Sequence, residues 1–424
     1  MRLLALLMAL LGVLRVYGGF PYTWSFAPPR LTKRRPLVYL SVLFGFIAVT
    51  AVVSEAVLYE SDYNFIREET SRTTIIIMNR TKQLTLFFLI GHCVCRSHLL
   101  ADMLFGLYRL PSEQRQALTK TDLAMSSATM ATALFHHTSG IYIRAIVNKS
   151  YTTNVRMIFS ISFEAVIGTL IFIVPLILFL TIRVLSSSLE DRVSMSPFFE
   201  TAPRNDSKHS ILKIEDKHDG HSNVECKTRS CSSLSRVLQE PFVLTPRSIN
   251  IADLKDFTTF IFRYNVILEK AIEYMQLPVV ILLLNEFVSL AVLVFLVVSG
   301  VEEDWSFVLG TLFALGSLLR ASLVIYAPAD LVSTRQQIVR YFNRLKLVAA
   351  TSEIKEEIDH VITALQDGPT FSIFGLFVLG RHCFLSIASF VTTYVIIAYQ
   401  LEVGERSNQL NDTFLSVQPC NSSL

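Results

Sequence analysis

Charge is scarce in this chain: Asp, Glu, Lys and Arg make up 17% of its 424 residues, against 51% hydrophobic residues and a mean hydropathy of +0.46. A water-soluble fold of this length needs far more polar surface, so a membrane-embedded protein is expected. Cysteine is sparse as well. Cys93, Cys95 and Cys383 lie in or beside apolar segments, Cys226 and Cys231 lie in a polar stretch and only Cys420 falls near the end, which excludes a disulfide framework. Acidic residues are missing ahead of the first apolar segment, where Arg2, Arg15, Arg30, Lys33, Arg34 and Arg35 stand alone. Basic flanks stay on the cytoplasmic side, so the N-terminus is expected there. Enzyme chemistry has little to draw on. His136-His137 are successive residues rather than an i, i+4 metal pair, and no nucleophile motif accompanies them. His218, His221, Cys226 and Cys231 lack the spacing of a zinc finger, so no metal and no cofactor are expected.

What is present is a series of apolar runs near the roughly 20 residues needed to cross a bilayer. Clear spans are predicted at residues 37–57, 163–185, 277–298, 306–325 and 383–401. Two weaker ones are predicted at 84–105, with His92, Arg96 and His98, and at 123–147, with His136, His137 and Arg144; these face the bundle interior rather than lipid. Seven spans place the C-terminus outside. The acidic link Glu302-Glu303-Asp304 then falls outside and the link holding Arg109, Arg115 and Lys120 inside, as the charge rule requires. Glycan acceptor sequons at Asn79, Asn148, Asn411 and Asn421 also fall outside, whereas the one at Asn205 falls inside.

The resulting organisation is an all-α, seven-transmembrane helical membrane protein. Residues 1–36 form a cytoplasmic segment whose apolar start imitates a signal peptide; Arg15 and the basic cluster that follow it favour an interfacial helix. Spans one to four occupy 37–185. Residues 186–249 are polar, lack apolar periodicity and read as a disordered cytoplasmic linker. In 250–325 a helix with Ile251, Leu254, Phe257, Ile261, Tyr264, Leu268 and Ala271 at three- and four-residue steps continues into span five, followed by span six. Residues 326–382 repeat the amphipathic pattern through Ile338, Phe342 and Leu345, and again through Ile354, Ile358, Ile362 and Leu365, as a cytoplasmic helical anchor. Span seven (383–401) and an extracellular tail (402–424) close the chain.

Span seven ends Thr393-Tyr394-Val395-Ile396-Ile397-Ala398-Tyr399-Gln400-Leu401, which resembles the Thr-Tyr-(five apolar)-Gln-Phe signature of insect-type gustatory receptors. Before it, Phe371-Ser372-Ile373-Phe374-Gly375-Leu376-Phe377-Val378-Leu379-Gly380 is similar to that family's Phe-Thr-Ala-x-Gly-Leu-Phe-x-Leu-Asp, with Gly375 and Phe377 among the matches and Ser372, Ile373 and Gly380 among the departures. Leu401 replaces the closing Phe. Gly18-Gly19-Phe20-Pro21 resembles the family's Gly-x-Phe-Pro element. Together the two later stretches cover about thirty residues; elsewhere the likeness is in length, span count and long inner loops.

The resemblance implies a chemosensory receptor of the plasma membrane, related to insect odorant receptors. It also implies a tetrameric, non-selective cation channel, as a homotetramer or a heteromer with related receptors, opened by a small-molecule tastant, with span seven lining the pore. At about 100° per residue, Thr393 and Gln400 share a stripe with Ile396 and Ile397. Four Gln400 amides would replace part of a cation's hydration shell, and Leu401 would add an apolar constriction. By the same analogy, Thr393 and Tyr394 hold the helix to its neighbours. The family places its ligand in the outer half of the bundle, where Glu55, Tyr59, Tyr142, Glu164 and Trp305 have suitable depth. Deeper, Arg96, Glu286 and Arg320 fall at comparable heights, and an ion-paired cluster is expected. Lipid is the other partner, and nucleic acid is not one. A G-protein-coupled-type chemoreceptor is the alternative, but it needs the opposite orientation, an acidic-Arg-aromatic triplet ending span three and an Asn-Pro-x-x-Tyr in span seven, and the chain has neither motif. A secondary transporter fits less well, since only Pro175 interrupts the middle of a strong span.

Overall fold

In hydrocarbon every backbone N–H and C=O must be satisfied within the protein, and a long apolar run does so as a helix. The computed structural model, which describes residues 2–16, 20–26, 29–33, 35–58, 69–109, 120–147, 154–196, 250–299, 304–375 and 377–416, is accordingly helical almost throughout. The all-α class holds. In chain order the elements are α1 (Arg2–Val16), a hairpin of β1 (Tyr22–Phe26) and β2 (Pro29–Lys33), α2 (Arg35–Leu58), α3 (Glu69–Cys95), α4 (Ser97–Arg109), α5 (Lys120–Val147), α6 (Asn154–Met195), α7 (Ile251–Ser299), α8 (Asp304–Val348), α9 (Ser352–Gln366), a short hairpin of β3 (Ser372–Ile373) and β4 (Phe377–Val378), and α10 (His382–Ser416). Among the described residues α6, α7, α8 and α10 are long and apolar enough to span a membrane, and α3 with α4 forms a fifth, bent candidate.

The 49-residue α7 and 45-residue α8 organise the molecule. Their apolar halves lie in the bundle, and their polar halves project together as the anchor, continuous through Pro278 and Pro328. In the anchor, Phe257 packs 5.3 Å from Phe342 between ring centroids, and α9 lays Ile358, Val361, Ile362 and Leu365 into the same core. Thr351 caps α9, its hydroxyl accepting the Ile354 N–H at 3.3 Å.

Two sequence expectations change. Span two was placed at 84–105, but the helix breaks at Arg96: α3 and α4 meet at 60°, and the straight, membrane-length piece is residues 72–95. At the break the Leu99 N–H reaches back only three residues, to the Arg96 carbonyl at 3.0 Å, and the Ser97 hydroxyl takes the Val94 carbonyl at 3.2 Å. The linker was expected from residue 186, yet α6 continues to Met195 with Ser186, Ser188, Leu189 and Val193 buried; residues 197–249 lie outside the described residues. α1 was expected on the membrane surface. Its Leu7, Leu10, Leu11 and Leu14, at i, i+3, i+4 and i+7, are buried in the main core, with α1 packed on α6. α10 runs on to Ser416, into the segment expected as the tail.

Candidate pore face and buried charge pairs

α10 has two sides. At about 100° per residue, Cys383, Ile387, Val391, Ala398 and Glu402 form one stripe, and all are buried against the chain. Ser389, Thr393, Ile396 and Gln400 fall opposite, and all are exposed. Overall, 22% of the apolar window of α10 is buried, against 89% for α6. A helix apolar enough to enter a membrane thus leaves most of its surface, including a polar seam, uncovered by its own chain.

The covered side packs on α7 and the main core, and among the described residues three hydrogen bonds tie it to α3. The Tyr394 hydroxyl donates to Thr74 Oγ1 of α3 at 3.4 Å. Nearer the end of α10, the Glu405 carboxylate accepts the Thr70 backbone N–H at 3.2 Å and also the Thr70 hydroxyl. An anion there satisfies one of the unpaired N–H groups in the first turn of α3 and complements its dipole. The end of α10 and the start of α3 therefore share one end of the bundle. The Thr393 hydroxyl donates to the Ser389 carbonyl of its own helix at 2.9 Å. Leu401 is 59% exposed and turned about 100° from Gln400. Ile396 and Ile397, about 40° and 60° from Gln400, are the apolar residues that accompany it.

The deep charges resolve into a pair rather than a triplet. Arg320 of α8 donates through Nε and Nη2 to the two oxygens of Glu286 on α7, each at 2.8 Å, with both side chains buried. Nη2 also meets Ser317 Oγ at 3.0 Å, the guanidinium lies 4.4 Å from the centre of the Phe172 ring of α6, and the Asn285 amide donates to Glu286 at 3.3 Å. This fork joins three helices by charge, hydrogen bond and ring face. Arg96 does not take part. It pairs at 3.2 Å with Glu273, half-exposed on both sides and thirteen residues before Glu286, a distance of about 20 Å along α7.

The comparisons with known proteins can now be set beside this geometry. The family model described as 7tm Chemosensory receptor matches residues 7–403. The chain belongs to this chemosensory receptor family. No curated protein sequence matches it. Among solved structures, the chain is similar to the insect olfactory receptor OR5 from Machilis hrabei, with 11% identity, 93% of this chain and 97% of that chain covered and a TM-score of 0.66. It is also similar to the same receptor in complex with eugenol, with 11% identity, 94% and 99% covered and a TM-score of 0.60. The chemosensory receptor is thus a multi-pass membrane protein and not an enzyme.

Glu55 lies in the last turn of α2, Tyr142 five residues before the end of α5, Trp305 in the first turn of α8 and Glu164 ten residues into α6, but their side chains, and all of Tyr59, lie outside the described residues. Asn79 lies on α3, ten residues after its start at Glu69. Asn411 is on the last turns of α10, and Asn148 and Asn421 lie outside the described residues. Gly375, with φ +73°, and Phe377 belong to the β3–β4 hairpin. Among the described residues no three His, Cys, Asp or Glu side chains are grouped to hold a metal, and Cys93, Cys95 and Cys383 are free thiols.

Two arrangements escaped the sequence reading. Arg183, at the end of span four, donates to Asp122 of α5 at 2.8 Å and to Asp330 of α8, tying three helices where they leave the membrane. Charges at span ends are ordinary, so nothing in the sequence singled these out. In the anchor, the C-terminal carbonyls of α9 are collected by other helices: Asn265 of α7 donates to the Ala364 carbonyl at 2.7 Å, and Arg335 of α8 donates to the Pro369 carbonyl at 2.6 Å and to that of Leu365. Burial draws the Arg335 pKa below its usual value. The carbonyl oxygens and the negative end of the α9 dipole favour keeping the charge.

Proposed function

We propose that the receptor is a gustatory receptor that works as a ligand-gated, non-selective cation channel of the plasma membrane. Four copies, or a mixture with related receptors, would surround a pore lined by α10, with the N-terminus and the α7–α9 anchor in the cytoplasm. One observation carries this reading: the uncovered seam of Ser389, Thr393 and Gln400 on an otherwise apolar helix. An amide such as that of Gln400 is costly against lipid, and facing water in an assembly removes the cost. A ring of Gln400 amides offers dipoles without fixed charge, which suits weak selectivity among cations, and Ile396 in the same seam supplies an apolar constriction.

The ligand is a small molecule entering among α2, α5, α6 and α8, the helices that carry Glu55, Tyr142, Glu164 and Trp305, with Tyr59 next in sequence after α2. The eugenol-bound state of the olfactory receptor supports a small-molecule ligand on this fold. Replacing Gln400 by alanine is expected to change single-channel conductance or cation permeability ratios while leaving the ligand concentration for half-activation nearly unchanged. Unchanged conductance and permeability in patch-clamp recordings would remove Gln400 from the pore.

A further inference from the structure

The β3–β4 hairpin joins the anchor to α10 and has no part in the pore reading. Its tip is strained: Phe374 has φ +48° and Gly375 φ +73°. Glycine adopts such angles freely and asparagine readily, whereas a bulky residue there costs on the order of 1–3 kcal/mol. The Phe374 ring is nevertheless 56% exposed, beside Val378 at 45%, so packing within its own chain offsets little of that strain.

Connectivity fixes the level at which this ring sits. Gln276 of α7 donates through its amide to the Ser372 carbonyl at 3.4 Å, and the next residue, Leu277, begins the apolar half of α7. Beyond β4, Cys383 Sγ lies 3.8 Å from the Val378 carbonyl oxygen, and Cys383 begins the apolar run of α10. Between the two, the Leu379 N–H donates to the Phe371 carbonyl at 2.8 Å and closes the hairpin. Phe374 is therefore held where two spans leave the membrane. Exposed Tyr326 stands at the corresponding point of α8, and exposed Arg381 and His382 follow the hairpin. Aromatic rings with basic residues are the composition of a bilayer interface facing anionic headgroups.

We propose that the Phe374 hairpin is a membrane-interface wedge, with its ring seated at the boundary of acyl chains and headgroups in the leaflet on the anchor side. Arg381 and His382 face the anionic headgroups there. Because the hairpin leads directly into α10, the lipid contact sets the position of that helix's first turn.

The test places photoreactive p-benzoylphenylalanine at position 374 of the full receptor, in vesicles of phosphatidylcholine and phosphatidylserine. After illumination, a single chain carrying the mass of one lipid is expected. A cross-linked pair of chains, or no adduct, overturns the proposal. The same probe at Leu347, which is 85% exposed but about 30 Å beyond Tyr326 along α8, should give no lipid adduct, and equal labelling there also overturns it. Phe374→Asn suits the backbone angle and should melt in detergent no lower than the parent. Its gain in melting temperature on transfer to vesicles should shrink, and an undiminished gain contradicts the wedge.

Discussion

Arg320→Ala is expected to lower the stability of the receptor by about 3–5 kcal/mol, because it strands the Glu286 carboxylate in a buried site with its principal partner gone. Glu286→Ala strands the guanidinium with a similar loss. Arg96→Ala should cost about 0.2–1 kcal/mol, since the Arg96–Glu273 pair is half in solvent. Thermal melts of the solubilised receptor check both, and an Arg320→Ala melt no lower than that of Arg96→Ala would refute the buried pair. Replacing both members by apolar residues of similar volume should recover much of the single-mutant loss, because no buried charge is then left alone.

Gly368→Ala is the second large effect. A methyl group at this position would meet the Arg335 guanidinium at less than contact distance, Asn265 Oδ1 at 2.8 Å and the Ala364 carbonyl at 3.0 Å. Arg335 must move, and with it go its bonds to the Leu365 and Pro369 carbonyls. Hydrogen bonds to a charged donor contribute about 1.5–3 kcal/mol each, so the expected loss is about 3 kcal/mol, concentrated on the docking of α9. Arg335→Met should produce a comparable loss. If both act through the same bonds, the double variant is little worse than either single one. Additive losses in the melts would contradict that link, and so would a Gly368→Ala receptor that melts like the parent.

Hydropathy made the long apolar spans legible, because a run such as 277–298 or 383–401 has no alternative in a bilayer. Counting at 1.5 Å per residue also brought Glu286 and Arg320 to one height, since both sit on straight helices. The same count misplaced Arg96: it assumes an unbroken helix, and α3 bends into α4 at that residue. The seam of Thr393 and Gln400 was readable from helical period alone, whereas the side of α10 that its own chain covers emerged only with the buried stripe of Cys383, Ile387, Val391, Ala398 and Glu402. Asn265, Arg335 and Gly368 were not legible, because they meet through the end of a third helix and no spacing along the chain records that meeting. The packing of the α1 leucines on α6 was not legible, because an apolar stripe does not say which neighbour covers it.

The central claim is that the uncovered seam of α10 surrounds water in the assembled receptor. Single cysteines at Gln400, on the seam, and at Ala398, on the buried stripe, can be treated with a charged, membrane-impermeant thiol reagent while ligand-evoked current is recorded, with the parent chain as the background for Cys93, Cys95 and Cys383. The expected result is rapid loss of current for Gln400→Cys and none for Ala398→Cys. A Gln400→Cys receptor that stays conductive in the charged reagent but is labelled by a lipid-soluble one would place the seam against lipid and contradict the channel reading.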